Sequence, residues 1–348
     1  MDLYIYRAGL VSAAGDNSGE QFLANAPSYH TDRLLCDELD YTAYIPPMQL
    51  RRMSKAVRMS VAAAKICMRQ DEKAAAISVG TGMGCLYDTE QFLSKMVTQN
   101  EQMLTPTSFI QSTHNTVGGQ IAMLTGCHGH NLTFVQRGHS FENAVINAGL
   151  YLDEHPGEKI LTGGFDELTN TSLAILKTAG VYSIEPRGPE NVLHHTRPGG
   201  IAGEGASFLL MGKEPMPGSL AIRGLSLFVT KDTADALQQV TSFLQAQALE
   251  PGDISFAMLG TNGDGKYEPF YKALRQDVFK DCSTAVFKHL SGEYPTAGSF
   301  ALALLYCMTS QNLFPAFLFN DTMPGKVKHI VLVNNYVNHY TCWHLEVV

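Results

Sequence analysis

The sequence of 348 residues lacks an apolar run long enough to cross a bilayer, and its seven cysteines are scattered without a CxxC pair. A membrane-spanning helix needs about 20 apolar residues, so we expect none. The cysteine pattern argues against a disulfide framework or a zinc site. The N-terminal segment also lacks the basic leader and apolar core of a signal peptide. We therefore expect a cytoplasmic protein that uses no metal and no cofactor.

Positive charge is scarce as well. The net charge is -8 and charged residues make up 17% of the chain, which argues against non-specific binding to nucleic acid. The exception is the segment LRRMSKAVRMSVAAAK, where Arg51, Arg52, Lys55 and Arg58 recur at helical spacing. This pattern has two interpretations, a solvated helix face or a docking site for an acidic carrier protein.

Short apolar segments alternate with helical patterns along the chain. The pattern predicts strands at 74–79, 159–165, 254–260 and 330–334, and helices at 89–100, 119–126, 232–249, 267–279 and 297–310. Strands that alternate with helices indicate an α/β fold whose sheets are buried on both faces. The order of elements is similar in two halves, which we place at residues 1–215 and 216–348.

The segment LTFVQRGHSFENAVINAGLYL predicts a strand, a sharp turn at Arg137 and Gly138, and a helix. Such a turn commonly presents a nucleophile at a helix N-terminus. Ser140 and its neighbour His139 are the candidates here, but adjacent helical residues point about 100° apart, so His139 is poorly placed as a base. We interpret Ser140 as a helix cap. The glycines of GTGMG precede no GK[ST] motif, which favours close backbone packing over phosphate binding.

Several segments in this order resemble the β-ketoacyl synthases of the thiolase superfamily. They are RRMSKAVRMSVAAA, SVGTGMG, NTVGGQIAMLTG, LTGGFDE, GGIAGEGASFLLM and KHLSGEYPTAGSFALALL. The resemblance implies a thiolase-like five-layered α/β/α/β/α sandwich of two similar halves that dimerises. It further implies transfer of an acyl group from a carrier protein or coenzyme A to a cysteine thiolate, assisted by two histidines.

The positions that this resemblance assigns to catalysis carry other residues. Gly138 stands where the cysteine is expected, and a shift of one or two residues gives Arg137 or Gln136. Asn262 and Glu293 stand where the resemblance implies the two histidines, whereas Lys288 is retained. The segment NNYVNHYTCWH replaces a glycine-rich loop near the active site of the family. We therefore predict that the turn persists without its nucleophile.

A further group of residues is a candidate for a pocket. The polar segment TPTSFIQSTHNT predicts a loop. Phe109 and His114 lie in SFIQSTHNTVGGQ, which in the family passes near the active-site entrance and the dimer interface. We expect Phe109, Ile110 and His114 to line the pocket of a partner subunit. Glu204 in GEGA is retained from the family motif, and we expect it to support the loop below the pocket.

Three functions fit these observations. The first is a catalytically degenerate subunit, similar to a chain-length factor, that pairs with an active ketosynthase in a type II fatty acid or polyketide/polyene pathway. The second is an active condensing or malonyl-carrier decarboxylating enzyme with non-standard residues, using Gln136 or Ser140. The third is a binding module for acyl carrier protein or a lipid. The dimer is a heterodimer in the first case, and a homodimer remains an alternative.

Overall fold

The computed structural model describes residues 2–19, 22–68, 72–193, 197–320 and 323–348. The strands are β1 Leu3–Ser12, β2 Gly15–Asp16, β3 Arg33–Leu34, β4 Ala76–Gly80, β5 Asn131–Phe134, β6 Ile160–Asp166, β7 Ala202–Gly203, β8 Gly205–Gly212, β9 Leu220–Val229, β10 Ile254–Leu259, β11 Ser283–Val286, β12 His329–Tyr336 and β13 His339–Val347. The helices are α1 Pro47–Leu50, α2 Lys55–Cys67, α3 Leu86–Thr98, α4 Pro106–Ser112, α5 Thr116–Thr125, α6 Ser140–Glu154, α7 Asn170–Thr178, α8 Pro189–Leu193, α9 Thr233–Ala246, α10 Glu268–Ala273, α11 Lys288–Ser291 and α12 Ala297–Gln311.

Two sets of strands share one topology. The first runs in the order β5-β4-β6-β8-β1 and the second in the order β11-β10-β12-β13-β9. In each set the first three strands are parallel and the last two are antiparallel to their neighbours. Antiparallel pairing of β1 with β9 joins the two sets. The strands predicted at 74–79 and 330–334 correspond to interior strands, β4 and β12.

The helices form three layers around these sheets. Helices α2 and α5 cover the outer face of the first sheet with apolar residues such as Val61 and Ile121. Helices α6 and α12 lie between the two sheets, where Val145 and Leu304 are fully buried. Helices α9 and α10 cover the outer face of the second sheet. This arrangement confirms the predicted five-layered α/β/α/β/α fold, while the boundary at 215/216 stays a prediction.

Two local predictions were wrong. The segment containing Phe109 was expected to be a loop, but it forms α4. This helix begins at Pro106, and proline is tolerated in the first turn of a helix. The basic segment was expected to be one helix, but α1 ends at Leu50 and α2 begins at Lys55. Arg51 and Arg52 therefore lie in the turn between them. Among the described residues, no helix is long and apolar enough to span a membrane.

His289 of α11 is a buried histidine in apolar surroundings. Its ring lies edge-on to Phe317, and neither ring nitrogen has a hydrogen-bond partner among the described residues. Burial lowers the pKa of His289 from 6.5 to about 4. Between these two pH values the unfolded chain binds a proton that the folded chain does not. The contribution of the uncharged His289 ring to the free energy of unfolding is therefore complete above pH 6.5 and is lost as the pH falls toward 4.

We expect the free energy of unfolding to fall more steeply with acid in the natural protein than in His289→Leu. Relative to pH 7, the loss in free energy of unfolding near pH 4 should be larger in the natural protein by roughly 3 kcal/mol. This figure follows from the change in the pKa of His289 at about 1.4 kcal/mol per pKa unit. Urea unfolding at pH 7 and at several lower pH values measures it. The control is His155→Gln, which changes an exposed histidine. Identical pH profiles for His289→Leu and the natural protein would contradict the assignment.

Candidate functional site

The turn between β5 and α6 is the one that the sequence analysis compared with a nucleophile turn. A short 3-10 turn over Arg137–His139 links the strand to the helix, and the exposed Arg137 has the left-handed φ of 51°. A Cβ on the buried Gly138 would lie 2.9 Å from the Cβ atoms of both Tyr336 and His339. Arg137 therefore takes the unusual φ of this turn, and Gly138 permits the close packing.

Ser140 and His139 are engaged by the backbone. Ser140 Oγ donates to the Arg137 carbonyl at 2.7 Å and accepts from the Gln136 amide at 2.8 Å, and the residue is fully buried. Ser140 is thus the first residue of α6 and closes the preceding turn, so the predicted capping role is wrong. His139 Nε2 lies 3.1 Å from the Tyr340 carbonyl oxygen. Burial lowers the pKa of His139, although this contact opposes the shift. Neither side chain is arranged as a nucleophile and its base.

Asn262 and Glu293, where the resemblance implies histidines, meet in a buried polar network with Lys288. Lys288 Nζ lies 2.7 Å from Glu293 Oε2 and also donates to the Asn335 carbonyl at 2.7 Å. Asn262 Nδ2 donates to the same carboxylate oxygen at 2.6 Å. The exposed fraction of the side chain is 0% for Lys288 and 2% for Glu293. Burial raises the pKa of Glu293 and lowers that of Lys288, and the opposite charge of each partner opposes both shifts.

A cavity of about 100 Å³ opens beside this network. Its polar lining consists of Asn262, Asp264, Lys266, Tyr267, Glu293 and Tyr336. Tyr336 also contacts Gly138. The structure therefore brings together around one tyrosine the three positions that the resemblance assigned to catalysis, Gly138, Asn262 and Glu293.

A second buried carboxylate links three of the sequence motifs. Asp166 of LTGGFDE accepts hydrogen bonds from the backbone of Gly82 and Met83 and from the hydroxyl of Thr81 in GTGMG. It also accepts from the amide and the hydroxyl of Thr296. Burial raises the pKa of Asp166 to about 6, and these hydrogen bonds oppose the rise. A Cβ on Gly82 would lie 2.3 Å from Pro295, so the glycines serve close packing as expected.

Glu204 supports the surrounding loops, as its motif predicted. Its carboxylate accepts from the Cys36 amide at 2.9 Å and the Leu168 amide at 3.1 Å, and it pairs with Lys55. Lys55 is therefore part of this internal support. Arg58 Nε donates to the Met53 carbonyl at 2.8 Å. Of the predicted basic patch, Arg51 and Arg52 are exposed, whereas Lys55 and Arg58 are half-buried, and its role in docking stays a prediction.

Phe109 and His114 lie away from the cavity of their own chain. Phe109 is 56% exposed and its ring is 5.4 Å from that of Phe92. The His114 ring packs against the glycine turn, because a Cβ on Gly84 would lie 2.8 Å from it. Their predicted place in a partner's pocket stays a prediction.

Sequence reasoning did not anticipate Tyr267 and Tyr336 in the cavity wall. Tyr336 belongs to the segment that replaces the family's glycine-rich loop, and a bulky residue in place of glycine was the available signal. Within the described ranges, no group of three or more His, Cys, Asp or Glu residues has an arrangement that could hold a metal ion.

Comparison with known proteins agrees with this geometry. Residues 29–176 match the sequence model of the family "Beta-ketoacyl synthase, N-terminal domain". No curated protein matches the sequence. A β-ketoacyl synthase from Burkholderia phymatum is similar to the whole chain, with a TM-score of 0.79 and 15% identity, covering 100% of this chain and 99% of that one.

Two complexes are also similar in structure. The ketosynthase ApeO in complex with its chain length factor ApeC, from Xenorhabdus doucetiae, gives a TM-score of 0.78 at 19% identity, covering 100% of this chain and 98% of that one. The complex AntDE:AntF, a type II PKS acyl-carrier protein with its ketosynthase, gives a TM-score of 0.74 at 14% identity. The match covers 100% of this chain and 99% of that one. The chain therefore has the fold of these ketosynthase structures. The match of residues 29–176 to the model of a β-ketoacyl synthase N-terminal domain confirms the resemblance seen in the sequence.

The buried ion pair gives a stability prediction. We expect Glu293→Gln to reduce the free energy of unfolding by about 3–5 kcal/mol, because it leaves the Lys288 ammonium buried without its counter-charge. The double variant Lys288→Met/Glu293→Leu should lose much less, since both charges are removed together. Urea denaturation measures both.

The control for this experiment is an exposed ion pair. Lys328 Nζ lies 3.9 Å from Glu346 Oε1 and its side chain is 62% exposed, so Lys328→Met should cost less than about 1 kcal/mol. A loss in Glu293→Gln no larger than that in Lys328→Met would show that the buried pair does not stabilise the fold.

Proposed function

We propose that this chain is the non-catalytic subunit of a ketosynthase pair in a type II fatty acid or polyketide/polyene pathway. Its working form is a heterodimer with an active ketosynthase, and its substrates are acyl chains carried by acyl carrier protein and processed by the partner. The observation that carries the proposal is the buried network of Lys288, Glu293 and Asn262 at the positions expected to perform the chemistry.

The chemistry of ketosynthases requires a thiolate and hydrogen-bond donors that stabilise an oxyanion or enolate. Here no thiol stands at the turn, and a carboxylate stands at one of the expected donor positions. A carboxylate repels developing negative charge. Asn262 already donates to Glu293, and Lys288 is neutralised by it. These contacts favour a supporting role over the alternative of an active enzyme with non-standard residues.

The open edge of the first sheet supports the partner role. β5 is the last strand of its set, and its edge carries the exposed residues Leu132 and Val135. The neighbouring helices also carry exposed apolar side chains, Met123 on α5, which packs against β5, and Phe109 and Ile110 on α4, which packs against α5. We call these five residues the apolar rim. A strand edge next to a contiguous apolar surface is typical of an interface with another chain.

A partner ketosynthase is the occupant that we propose for this edge. A pair of identical chains would contain no cysteine nucleophile, so function requires the second subunit to supply one. The exposed Arg51 and Arg52 lie next to α4, because the Gln111 side chain donates to the Arg52 carbonyl. Basic and apolar groups therefore adjoin at this end of the rim, which supports docking of an acidic carrier protein there. We retain the cytoplasm as the proposed compartment.

The turn should be chemically inert. After incubation with an acyl thioester or a cerulenin-type inhibitor, mass spectrometry of the chain should find no covalent adduct on residues 136–140. The reason is that Gly138 has no reactive group and the Ser140 hydroxyl is buried between two backbone contacts. An active ketosynthase labelled in parallel is the control. An adduct on Gln136, Arg137 or Ser140 would favour the active-enzyme alternative.

The apolar rim should be required for assembly. We expect Leu132→Asp or Ile110→Asp to weaken association with a ketosynthase encoded beside this chain by at least about tenfold, since loss of a well-buried interface side chain exceeds about 1.4 kcal/mol. Co-expression followed by size-exclusion chromatography measures the complex. Val229→Asp is the matched control, because Val229 is 63% exposed at the end of β9.

Activity of the pair completes this test. With the natural chain present, the partner should condense acyl chains to a defined length, and the rim variants should reduce that activity in proportion to the lost complex. If the partner makes products of the same length at the same rate without this chain, the subunit role is lost.

A further inference from the structure

A cleft of about 640 Å³ lies between the starts of α2 and α3 and the segment 167–171. Glu167 lines this cleft, and the residue is only 7% exposed. Its Oε1 accepts from the Tyr87 amide at 3.0 Å. Its Oε2 has no hydrogen-bond partner among the described residues, and this oxygen is not closed off from solvent. Glu167 therefore presents one free carboxylate oxygen to the cleft.

The surroundings of this carboxylate are negative. The charged groups that act on Glu167 most strongly are the carboxylates of Asp88, Glu204 and Glu90. Burial raises the pKa of Glu167 to about 7, and these three neighbours add to the rise, whereas the bond from the Tyr87 amide opposes it. Glu167 is therefore partly ionised at neutral pH, and its ionised form lacks a counter-charge.

The positive side chains of the cleft are engaged elsewhere. Lys55 pairs with Glu204, and Arg33 pairs with the aspartate that precedes it. Arg58 uses its Nε for a bond to a backbone carbonyl. None of the three is an ion-pair partner of Glu167 in the described part of the chain. A positively charged ligand would supply the counter-charge that the protein does not provide.

We propose that this cleft binds the primary ammonium group of an aliphatic amine, which donates to Glu167 Oε2 and lies with its hydrocarbon chain against the apolar part of the lining. An ammonium has three donors and no acceptor, and Glu90 on the same cleft wall offers a second carboxylate. The apolar part of the lining consists of Leu35, Met53, Tyr87 and Leu168. The described residues contain no group that could hold a metal ion, which favours an organic cation.

The site is separate from those on which the proposed function depends. The cleft shares no lining residue with the cavity beside Glu293, and it contains no residue of the apolar rim. Binding of an amine and assembly with a ketosynthase can therefore be tested independently of each other.

Three ligands of similar shape and different charge test the proposal. They are n-butylammonium, 1-butanol and butyrate, and each is titrated into the full chain while NMR records the backbone amides of the cleft. We expect n-butylammonium to bind at least about tenfold more tightly than 1-butanol, because hydrogen bonds between charged groups are roughly twice as strong as neutral ones. Butyrate should not bind, since its charge has the same sign as that of Glu167.

The affinity for n-butylammonium should also depend on pH. The ionised carboxylate is the form that attracts an ammonium, and the amine stays protonated near neutral pH. Between about pH 6 and about pH 8 the affinity should rise roughly tenfold, because the ionised fraction of a group with a pKa near 7 rises by that factor. The Cys85 thiol close to Glu167 stays protonated over this range, since burial raises its pKa.

A variant assigns the effect to one side chain. Glu167→Gln removes the charge and keeps an acceptor for the Tyr87 amide, so it should weaken n-butylammonium binding at least about tenfold and abolish the dependence on pH. Glu154→Gln, which changes an exposed carboxylate on α6, is the control and should retain both. If Glu167→Gln does not fold, the ranking of the three ligands and the pH dependence in the natural chain still decide.

Three results overturn the proposal. One is 1-butanol binding as tightly as n-butylammonium, which would show that the charge contributes nothing. Another is an affinity that is the same at both pH values or unchanged in Glu167→Gln, which would place the ammonium away from this carboxylate. The third is the absence of any shift at the cleft amides at all amine concentrations.

Discussion

The buried ion pair between Lys288 and Glu293 is the contact on which the centre of the molecule depends. It ties the short helix α11 to the end of β12 through the Asn335 carbonyl, and to the loop after β10 through Asn262. The backbone of Glu293 also bonds to Ile201 and Gly203 of the GGIAGEGA segment. Because the pair is shielded from water, its two charges must stay together. Four segments that are distant in sequence are thereby fixed around one carboxylate.

Asp166 is a second buried carboxylate that holds separate segments of the chain together. Its carboxylate receives five hydrogen bonds, from the GTGMG turn and from Thr296 at the start of α12. Burial raises its pKa to about 6 even though these donors oppose the rise, so the donors must remain in place for the group to stay ionised near neutral pH. The motifs that make the family resemblance visible in the sequence are thus the segments that satisfy two buried carboxylates.

This explains how much the sequence could predict. Hydrophobic periodicity located the main strands and helices because their buried faces are continuous, and the motif order identified the five-layered fold. The role of Lys55 was missed because its partner, Glu204, is 149 residues away, and periodicity carries no information on such contacts. The helix at Phe109 was missed because its residues are polar or exposed on most faces. The cavity is lined by four separate segments of the chain, so only the tertiary structure could reveal it.

The turn between β5 and α6 is held in place by the residues that pack against it. Gly138 cannot gain a side chain without displacing Tyr336 and His339, which belong to the hairpin of β12 and β13. The same turn continues from β5, the open edge strand, into α6, which packs between the two sheets. A partner that pairs with β5 would therefore contact a segment whose inner side is already packed against the rest of the fold. The turn is held by packing and by its position at the sheet edge, and neither constraint requires a thiol at its tip.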